Sequence, residues 1–445
     1  MKKQQKTGWL IAGGTPLRGS VKVSGAKNAS YKLMIATLLA ETESKILNLP
    51  GISDVEMVAE IINNLGGKAT LAGEGTQIID PSTLNSFAID ERYGEISRAS
   101  TLFIAPLLAR FGEARVPLPG GDKIGKRPLD RHFAGLQKMG AIITQENGNL
   151  IVQAERLVGT HYKFPQNTHT GTETLIMASV LAAGKTVLEN AAEEPEVTDL
   201  INFLNEMGAK VKRTRPRTIE IEGVEKLTGA TYKVMPDRNE VVSYACAALA
   251  SRGDIIVENA RAEDLTAFLE KLDEIGAGFE IKEYGIRFYY QGPLQATNIQ
   301  TAIHPGFMTD WQPLWAVLMC HATGKSQIHE TVMQSRFQYV EVLQQMGAKI
   351  ELITPPAPLD PEQFYNFNWA DRKSTDVRAI EITGPTQFTG GEFTAHDLRA
   401  GAIILIAAIS GVGQTTLYGI EEIERGYSKI DEKLSLLGAK IQNIK

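Results

Sequence analysis

One pattern recurs six times and limits what this chain can become. A stretch of helical periodicity ends in an apolar residue followed by glycine: "LGG" at 65, "MGA" at 139, "MGA" at 207, "IGA" at 275, "MGA" at 346 and "LGA" at 437. Alternating apolar and polar residues follow, as in "AKVKRTRPRTIEIEG" and "AGFEIKEYGIRFYYQG". Glycine just past a helix is a natural stop and alternation marks a half-buried strand, so each unit reads as helix, glycine cap, strand. Successive stops lie 74, 68, 68, 71 and 91 residues apart. Units of that size exceed the roughly 20 to 50 residues of solenoid repeats. A chain of 445 residues also exceeds the usual reach of one core. The expected arrangement is an α/β protein of two domains, each built from three repeats.

The long last interval coincides with "PPAPLDPEQFYNFNWADRKSTD", whose proline, aspartate and aromatic content reads as a surface insertion. Each unit also holds a far more apolar helix: "YKLMIATLLA", "STLFIAPLLA", "ETLIMASVLAAG", "VVSYACAALA", "PLWAVLMCHATG" and "LRAGAIILIAAISG". A helix apolar nearly all round is buried, which gives three buried helices per domain with sheets as walls.

Polar residues cluster at the starts of these segments. Lys27, Arg98, Arg127, Arg238, Arg336, Arg399 and Arg425 read as seven cations at helix beginnings. The helix N-terminus already carries partial positive charge, so a cation there is unfavourable unless an anion answers it. Helix start and guanidinium together make an anion site, although a solvated side chain would explain any one of them alone. Among the carboxylates, Thr309 and Gln312 fit a capping box that leaves Asp310 at the first helical position. A favourable dipole charge would account for Asp310, and plain capping would account for Asp397 and Asp237. The stretch "PLPGGDKIGKRPLD", Pro117 to Asp130, sets Asp122 among Gly120, Gly121 and Gly125 and before Lys123, Lys126 and Arg127. It reads either as a solvated loop or as a lid over an anionic substrate.

Other chemistries find little support. The formal net charge of −6 gives no reason to expect nucleic acid or a membrane surface as a partner. Cys246 and Cys320 sit in apolar helical patterns and read as core packing. None of the seven histidines has HxxxH or HExxH spacing. "IAGGTPLRGS" lacks the frame of a phosphate loop and reads as a turn between strands. No apolar run approaches the roughly 18 residues of a membrane span, and the N-terminus lacks a continuous apolar stretch, so a cytoplasmic protein is expected.

Several stretches together resemble the UDP-N-acetylglucosamine 1-carboxyvinyltransferase family of enolpyruvyl transferases. They are "VSGAKNAS", "ASTLFIAPLLARFGEARVPLPGGDKIGKRPLD", "TGTETLIMASVLAAGKTVLENAAEEPEVTDLINFLNEMGAKV", "HPGFMTDWQ", "ETVMQSRF", "HDLRA" and "ERGYSKIDEKLSLLGA". The resemblance implies a two-domain inverted α/β prism of six repeats. One domain would span 28–235 with the loop 117–130, and the other 1–27 plus 236–445 with an insertion at about 354–390. It implies transfer of enolpyruvyl from phosphoenolpyruvate to the 3′-hydroxyl of UDP-N-acetylglucosamine in peptidoglycan precursor synthesis, with phosphate released and no metal or organic cofactor. Both substrates are polyanions, which would answer the cations.

By the same resemblance Lys27, Arg127 and Arg425 clamp phosphoenolpyruvate, with Arg336 and Arg399 nearby. Asn28, Arg98, Arg127, Pro128, Leu129, Asp130 and Val332 contact the nucleotide sugar. Asp310 accepts the sugar hydroxyl proton and Asp397 lies near the clamp. Asp122 occupies the position where most members carry a cysteine, the general acid and the target of fosfomycin, making this an aspartate-loop variant. The sister family acting on shikimate 3-phosphate has a "GDKS"-like signature where this chain has "GAKN". Departures are Gln334 and Ser335 where Glu-Asn is common, Arg131 in place of an apolar residue, and the insertion after Ile353. A non-catalytic or altered-acceptor paralogue that binds a nucleotide sugar is the rival reading. The presence of Lys27, Asp310, Arg336, Asp397 and Arg425 stands against it, since a pure binder needs no proton acceptor.

Overall fold

The structure, a computed structural model, describes residues 7–96, 98–118, 128–356 and 358–444. All six predicted stops form. Gly66, Gly140, Gly208, Gly276, Gly347 and Gly438 have φ of 92°, 98°, 100°, 73°, 106° and 100°, the left-handed conformation that ends a helix and that glycine enters without a Cβ penalty.

The strands after the stops build five four-stranded sheets and one three-stranded sheet among the described residues. The repeat is clearest at residues 161–222. His161–Lys163 runs parallel to Lys185–Glu189, which pairs antiparallel with Thr218–Glu222, itself antiparallel to Lys210–Arg215. The helix His169–Ser179 bridges the parallel pair, and Pro195–Glu206 leads into the antiparallel hairpin. In the three-stranded sheet a single parallel bridge, Ala88 to Arg115, stands where the other sheets have their parallel edge strand.

The described residues divide into two compact units, one holding those up to Ser24 and from Pro236 onward, the other those from Gly25 to Met235. The division follows Ser24 rather than Lys27, because Ala26 N–H donates to Met235 O at 2.7 Å and Lys27 pairs with Asp54. The two edge strands are exchanged in sequence. Arg18–Lys22 precedes the unit Gly25–Met235 yet pairs with Asp254–Glu258 beyond it, whereas Thr231–Lys233, at the end of that unit, pairs back onto Ser44–Leu47. Gly8–Ala12 likewise completes the last repeat, between Gln414–Tyr418 and Lys440–Ile444. "IAGGTPLRGS" is the connection between the first two strands.

Each unit has its own apolar core. In one, Arg238–Ala250, Gln312–His321 and Leu398–Ser410 pack on one another. In the other, Lys27–Ala36 packs on the 3₁₀ turn Arg98–Phe103, and Ile104–Phe111 packs on His169–Ser179. Cys246 and Cys320 are free and fully buried in the first core, where burial pushes both thiols up, Cys320 to about 12. The expected insertion range of 354–390 is only partly irregular. It contains Ala379–Gly384, a regular strand paired with Lys349–Ile353, so the extra residues lie between those two strands. Among the described residues no helix is long and apolar enough to cross a membrane.

Candidate active site

The buried helices bring charged side chains to their N-terminal ends. In the unit from Pro236 onward, Asp237 and Asp397 cap two of the three core helices. Asp237 accepts from the Asn239 and Glu240 amides at 2.7 and 3.2 Å, and Asp397 from the Arg399 and Ala400 amides at 2.8 and 2.9 Å. These caps are worth roughly 1 kcal/mol each.

The third helix, Gln312–His321, follows a different rule. The Thr309–Gln312 capping box expected from sequence does not form, and no side chain caps this helix. Stronger partners claim both residues. The Thr309 hydroxyl donates to Glu330 Oε2 at 2.7 Å and accepts from Arg336 Nη1 at 3.0 Å. Gln312 donates to the Arg336 carbonyl at 2.9 Å and accepts from the Tyr339 hydroxyl at 2.7 Å.

Asp310 is thereby placed in the turn before the helix, between two guanidinium groups. Arg336 Nη2 lies 2.6 Å from its Oδ1 and Arg399 Nη2 lies 3.1 Å from its Oδ2. Burial alone would raise this carboxyl, but the two arginines outweigh it and hold Asp310 well below the ordinary carboxylate range. Arg399 Nη1 also donates to the Tyr427 hydroxyl at 2.9 Å. The Ser243 hydroxyl gives its proton to the Asn239 carbonyl, so the 2.7 Å contact between Tyr427 and Ser243 is a donation from Tyr427. Glu330 is fully buried, and burial raises its carboxyl even though it accepts from Thr301, Thr309 and the Val332 and Met333 amides.

Two of the cations expected at helix beginnings lie elsewhere. Arg336 precedes Val340–Gln345 by a loop, drawn instead to Asp310. Arg425 is the C-cap of Ile420–Glu424, where the helix dipole favours a cation, and it pairs with Glu422 at 3.2 Å. Arg238, Arg399, Lys27 and Arg98 do stand in the first turns of their elements.

In the unit from Gly25 to Met235, Lys27 opens its helix with no side-chain cap and no acid in the first turn. Its Nζ lies 2.6 Å from Asp54 Oδ2 and over the Tyr31 ring, and Asn28 beside it is half-buried. One turn further on, Lys32 is buried against Glu173 at 2.6 Å, with His169 Nε2 at 3.1 Å from the same carboxylate. Leu129 is the buried N-cap position of Asp130–Lys138, with Pro128 and Asp130 exposed beside it. Arg98, Asp130 and Arg131 all act electrostatically on buried His132, whose pKa falls to about 3, first through burial and then through Arg98. Asp122 and Arg127 lie outside the described residues.

The structure joins Asp310, Arg336 and Arg399, three of the residues named from the sequence, and sets beside the named residues Glu330, Tyr427, Asp54, Lys32 and Glu173, which sequence reading did not single out. Lys32 and Glu173 could have been found, since each is a lone charge within an apolar helical stretch. Asp54 stands in the first turn of Ser53–Asn64, where an acid suits the helix dipole and nothing local points to Lys27.

Known proteins resemble this chain in sequence and in fold. The family description EPSP synthase (3-phosphoshikimate 1-carboxyvinyltransferase) matches residues 11–434. A UDP-N-acetylglucosamine 1-carboxyvinyltransferase 3 of Caldanaerobacter subterraneus subsp. tengcongensis is 40% identical over 437 residues, covering 98% of this chain and 99% of that protein. A UDP-N-acetylglucosamine 1-carboxyvinyltransferase of Desulforapulum autotrophicum is 40% identical over 435 residues, again covering 98% and 99%. Among solved structures, the enolpyruvyl transferase NikO from Streptomyces tendae aligns with a TM-score of 0.85 at 23% identity, covering 99% of both chains. An EPSP synthase from Acinetobacter baumannii aligns with a TM-score of 0.73 at 19% identity, covering 98% of this chain and 100% of that one. At those identities the likeness is one of fold.

Proposed function

Because the chain belongs to the UDP-N-acetylglucosamine 1-carboxyvinyltransferase family of enolpyruvyl transferases, we propose that it moves enolpyruvyl from phosphoenolpyruvate to the 3′-hydroxyl of UDP-N-acetylglucosamine. The sugar oxygen adds to C2 of the enol while a proton is delivered to C3. Phosphate then leaves C2 as a proton departs C3, and the product retains the vinyl group. The reaction would serve peptidoglycan precursor synthesis in the cytoplasm.

The observation that carries this reading is the buried carboxylate of Asp310 between Arg336 and Arg399. We assign Asp310 the proton of the sugar hydroxyl. Held by two guanidinium groups, it is a weak base, and general-base work near neutrality wants a higher pKa. An anion that recruits Arg336 or Arg399 removes part of that stabilisation and raises Asp310 toward a useful range. On this reading Asp310 becomes competent only once phosphoenolpyruvate has arrived. Lys27, Arg127 and Arg425 bind that substrate's phosphate and carboxylate. Asn28, Arg98, Pro128, Leu129, Asp130 and Val332 bind the nucleotide sugar. Asp397, whose carboxylate is already engaged as a cap, orients the backbone at Arg399.

We assign Asp122 the delivery of the proton to C3. In sequence it adjoins Lys123, Lys126 and Arg127, cations that would favour the carboxylate, whereas desolvation on substrate binding would favour the acid. A carboxylate is a poor substitute for a thiolate nucleophile, so turnover should be insensitive to fosfomycin. The test is phosphate release from phosphoenolpyruvate with and without UDP-N-acetylglucosamine. Release should require the sugar nucleotide and should fall by roughly a hundredfold or more in Asp310→Ala. Inactivation by fosfomycin should appear only in Asp122→Cys. Absence of acceptor-dependent release from the unmodified chain would sink the reading, and rapid covalent labelling of Asp122 would sink the part concerning the drug.

A further inference from the structure

The extra residues between Ile353 and Ala379 grip the segment that leads to Arg336. Tyr365, 1% exposed, stacks on Trp369 with ring centroids 4.8 Å apart and planes at 12°, and its hydroxyl lies 3.1 Å from His329 Nε2. The Asn366 amide donates to the Thr331 carbonyl at 2.8 Å. Gln334 is 7% exposed, and its amide donates to the Asp371 carbonyl at 3.0 Å and to Asp376 Oδ2 at 2.6 Å. Arg378 closes the insertion, with its guanidinium over both Tyr365 and Trp369 and an Nη2 bond to the Pro355 carbonyl at 3.0 Å. The insertion therefore holds this short segment at His329, Thr331 and Gln334. Glu330 and Arg336, which flank those points, are the residues joined to Asp310 through Thr309 and directly.

A loop that merely lengthened a hairpin would have no reason to build its own aromatic core against the segment before Arg336. We propose that Asp360–Arg378 is a positioning element for the transferase reaction, fixing Val332 and Arg336 through Gln334. This rests on the function proposed above. The contact with Asp376 also determines which residue can occupy position 334. An amide can donate to that carboxylate, whereas a second carboxylate would meet it at hydrogen-bonding distance with no donor between them.

The test compares the unmodified chain with Gln334→Glu and with the double variant Gln334→Glu/Asp376→Asn, in which donor and acceptor exchange places. Readouts are kcat/KM for UDP-N-acetylglucosamine, amide hydrogen exchange over residues 329–336 and the global unfolding temperature. Gln334→Glu should lower kcat/KM about tenfold and speed exchange in that segment at a nearly unchanged unfolding temperature, and the double variant should recover about half of each effect on a logarithmic scale, since the Asp371 carbonyl still faces a carboxylate oxygen. Asp376→Ala, which buries no new charge, should move both readouts in the same direction should Gln334→Glu fail to fold. Wild-type exchange and kcat/KM in Gln334→Glu, or faster exchange with unchanged kcat/KM, would overturn the proposal. If the unmodified chain releases no phosphate, the reading of function fails, and hydrogen exchange alone still decides whether the insertion holds the segment.

Discussion

His132 shows how strongly one side chain can register its surroundings. It is 5% exposed, its Nε2 lies 3.0 Å from the Thr170 hydroxyl, its Nδ1 has no partner, and Arg98 and Arg131 both oppose a charge on it. Among the described residues, Asp130 favours the charged form. The unfolded chain takes up this proton near pH 6.5, whereas the folded chain stays neutral down to about 3. Stability is therefore lost as pH falls through that window, by roughly 2 kcal/mol at pH 5 for a group so fully perturbed. Urea unfolding of His132→Gln at pH 7.5 and pH 5 should show a smaller loss on acidification than the unmodified chain, and an identical loss would refute the argument. At this scale the sequence was informative where chemistry is unusual for its place. Arg399 was legible because a cation in the first turn of an apolar helix demands an anion, whereas Asp310 and Arg336 were assigned to the site through the family resemblance. Glu330 and Tyr427 were not legible, because a strand-end glutamate and a tyrosine after a turn look ordinary until long-range packing buries them.

Elements were legible wherever local chemistry decides and illegible where tertiary contacts compete. The six glycine stops follow from backbone sterics alone, and all six adopt positive φ. The capping box at Thr309 failed because Glu330 and Arg336, distant in sequence, offer Thr309 stronger partners than a backbone amide does. Arg336 was misplaced for a related reason, since Asp310 draws it away from the short helix Val340–Gln345, and Arg425 because the five-residue helix Ile420–Glu424 ends just before it. The stops also permit a clean measurement. At Gly208 φ is +100° and an added Cβ would meet no atom within 4 Å, so substitution there tests backbone strain without a clash. Gly208→Ala should destabilise the chain by about 1 to 2 kcal/mol with the fold intact. A chemical denaturation midpoint unchanged from the parent would show that the left-handed turn contributes nothing.

At the scale of the whole molecule, six repeats are divided between two separate cores by exchanging single strands. Among the described residues the second unit is one stretch of sequence from Gly25 to Met235, and it already contains Thr231–Lys233, the strand that completes the sheet of its first repeat. Its ends meet, with the Ala26 amide 2.7 Å from the Met235 carbonyl. The other unit is interrupted, yet its broken ends also meet, since the Asp237 amide lies 2.9 Å from the Ser24 carbonyl. Among the described residues neither unit borrows a strand or a core residue from the other. Excising residues 25–235 as one polypeptide, and joining Ser24 to Pro236 through a short glycine-serine linker as another, should therefore give two proteins that each fold. Each should unfold cooperatively by circular dichroism and show dispersed amide resonances. Each has a sequence length well above the roughly 40 residues below which a core cannot sustain itself. Neither should release phosphate alone, because the proposed roles are divided between Lys27, Asn28 and Arg98 in one and Asp310, Arg336, Arg399 and Arg425 in the other. If either piece melts without cooperativity, the strand exchange does more than connect two independent cores, and the repeats must be treated as one folding unit.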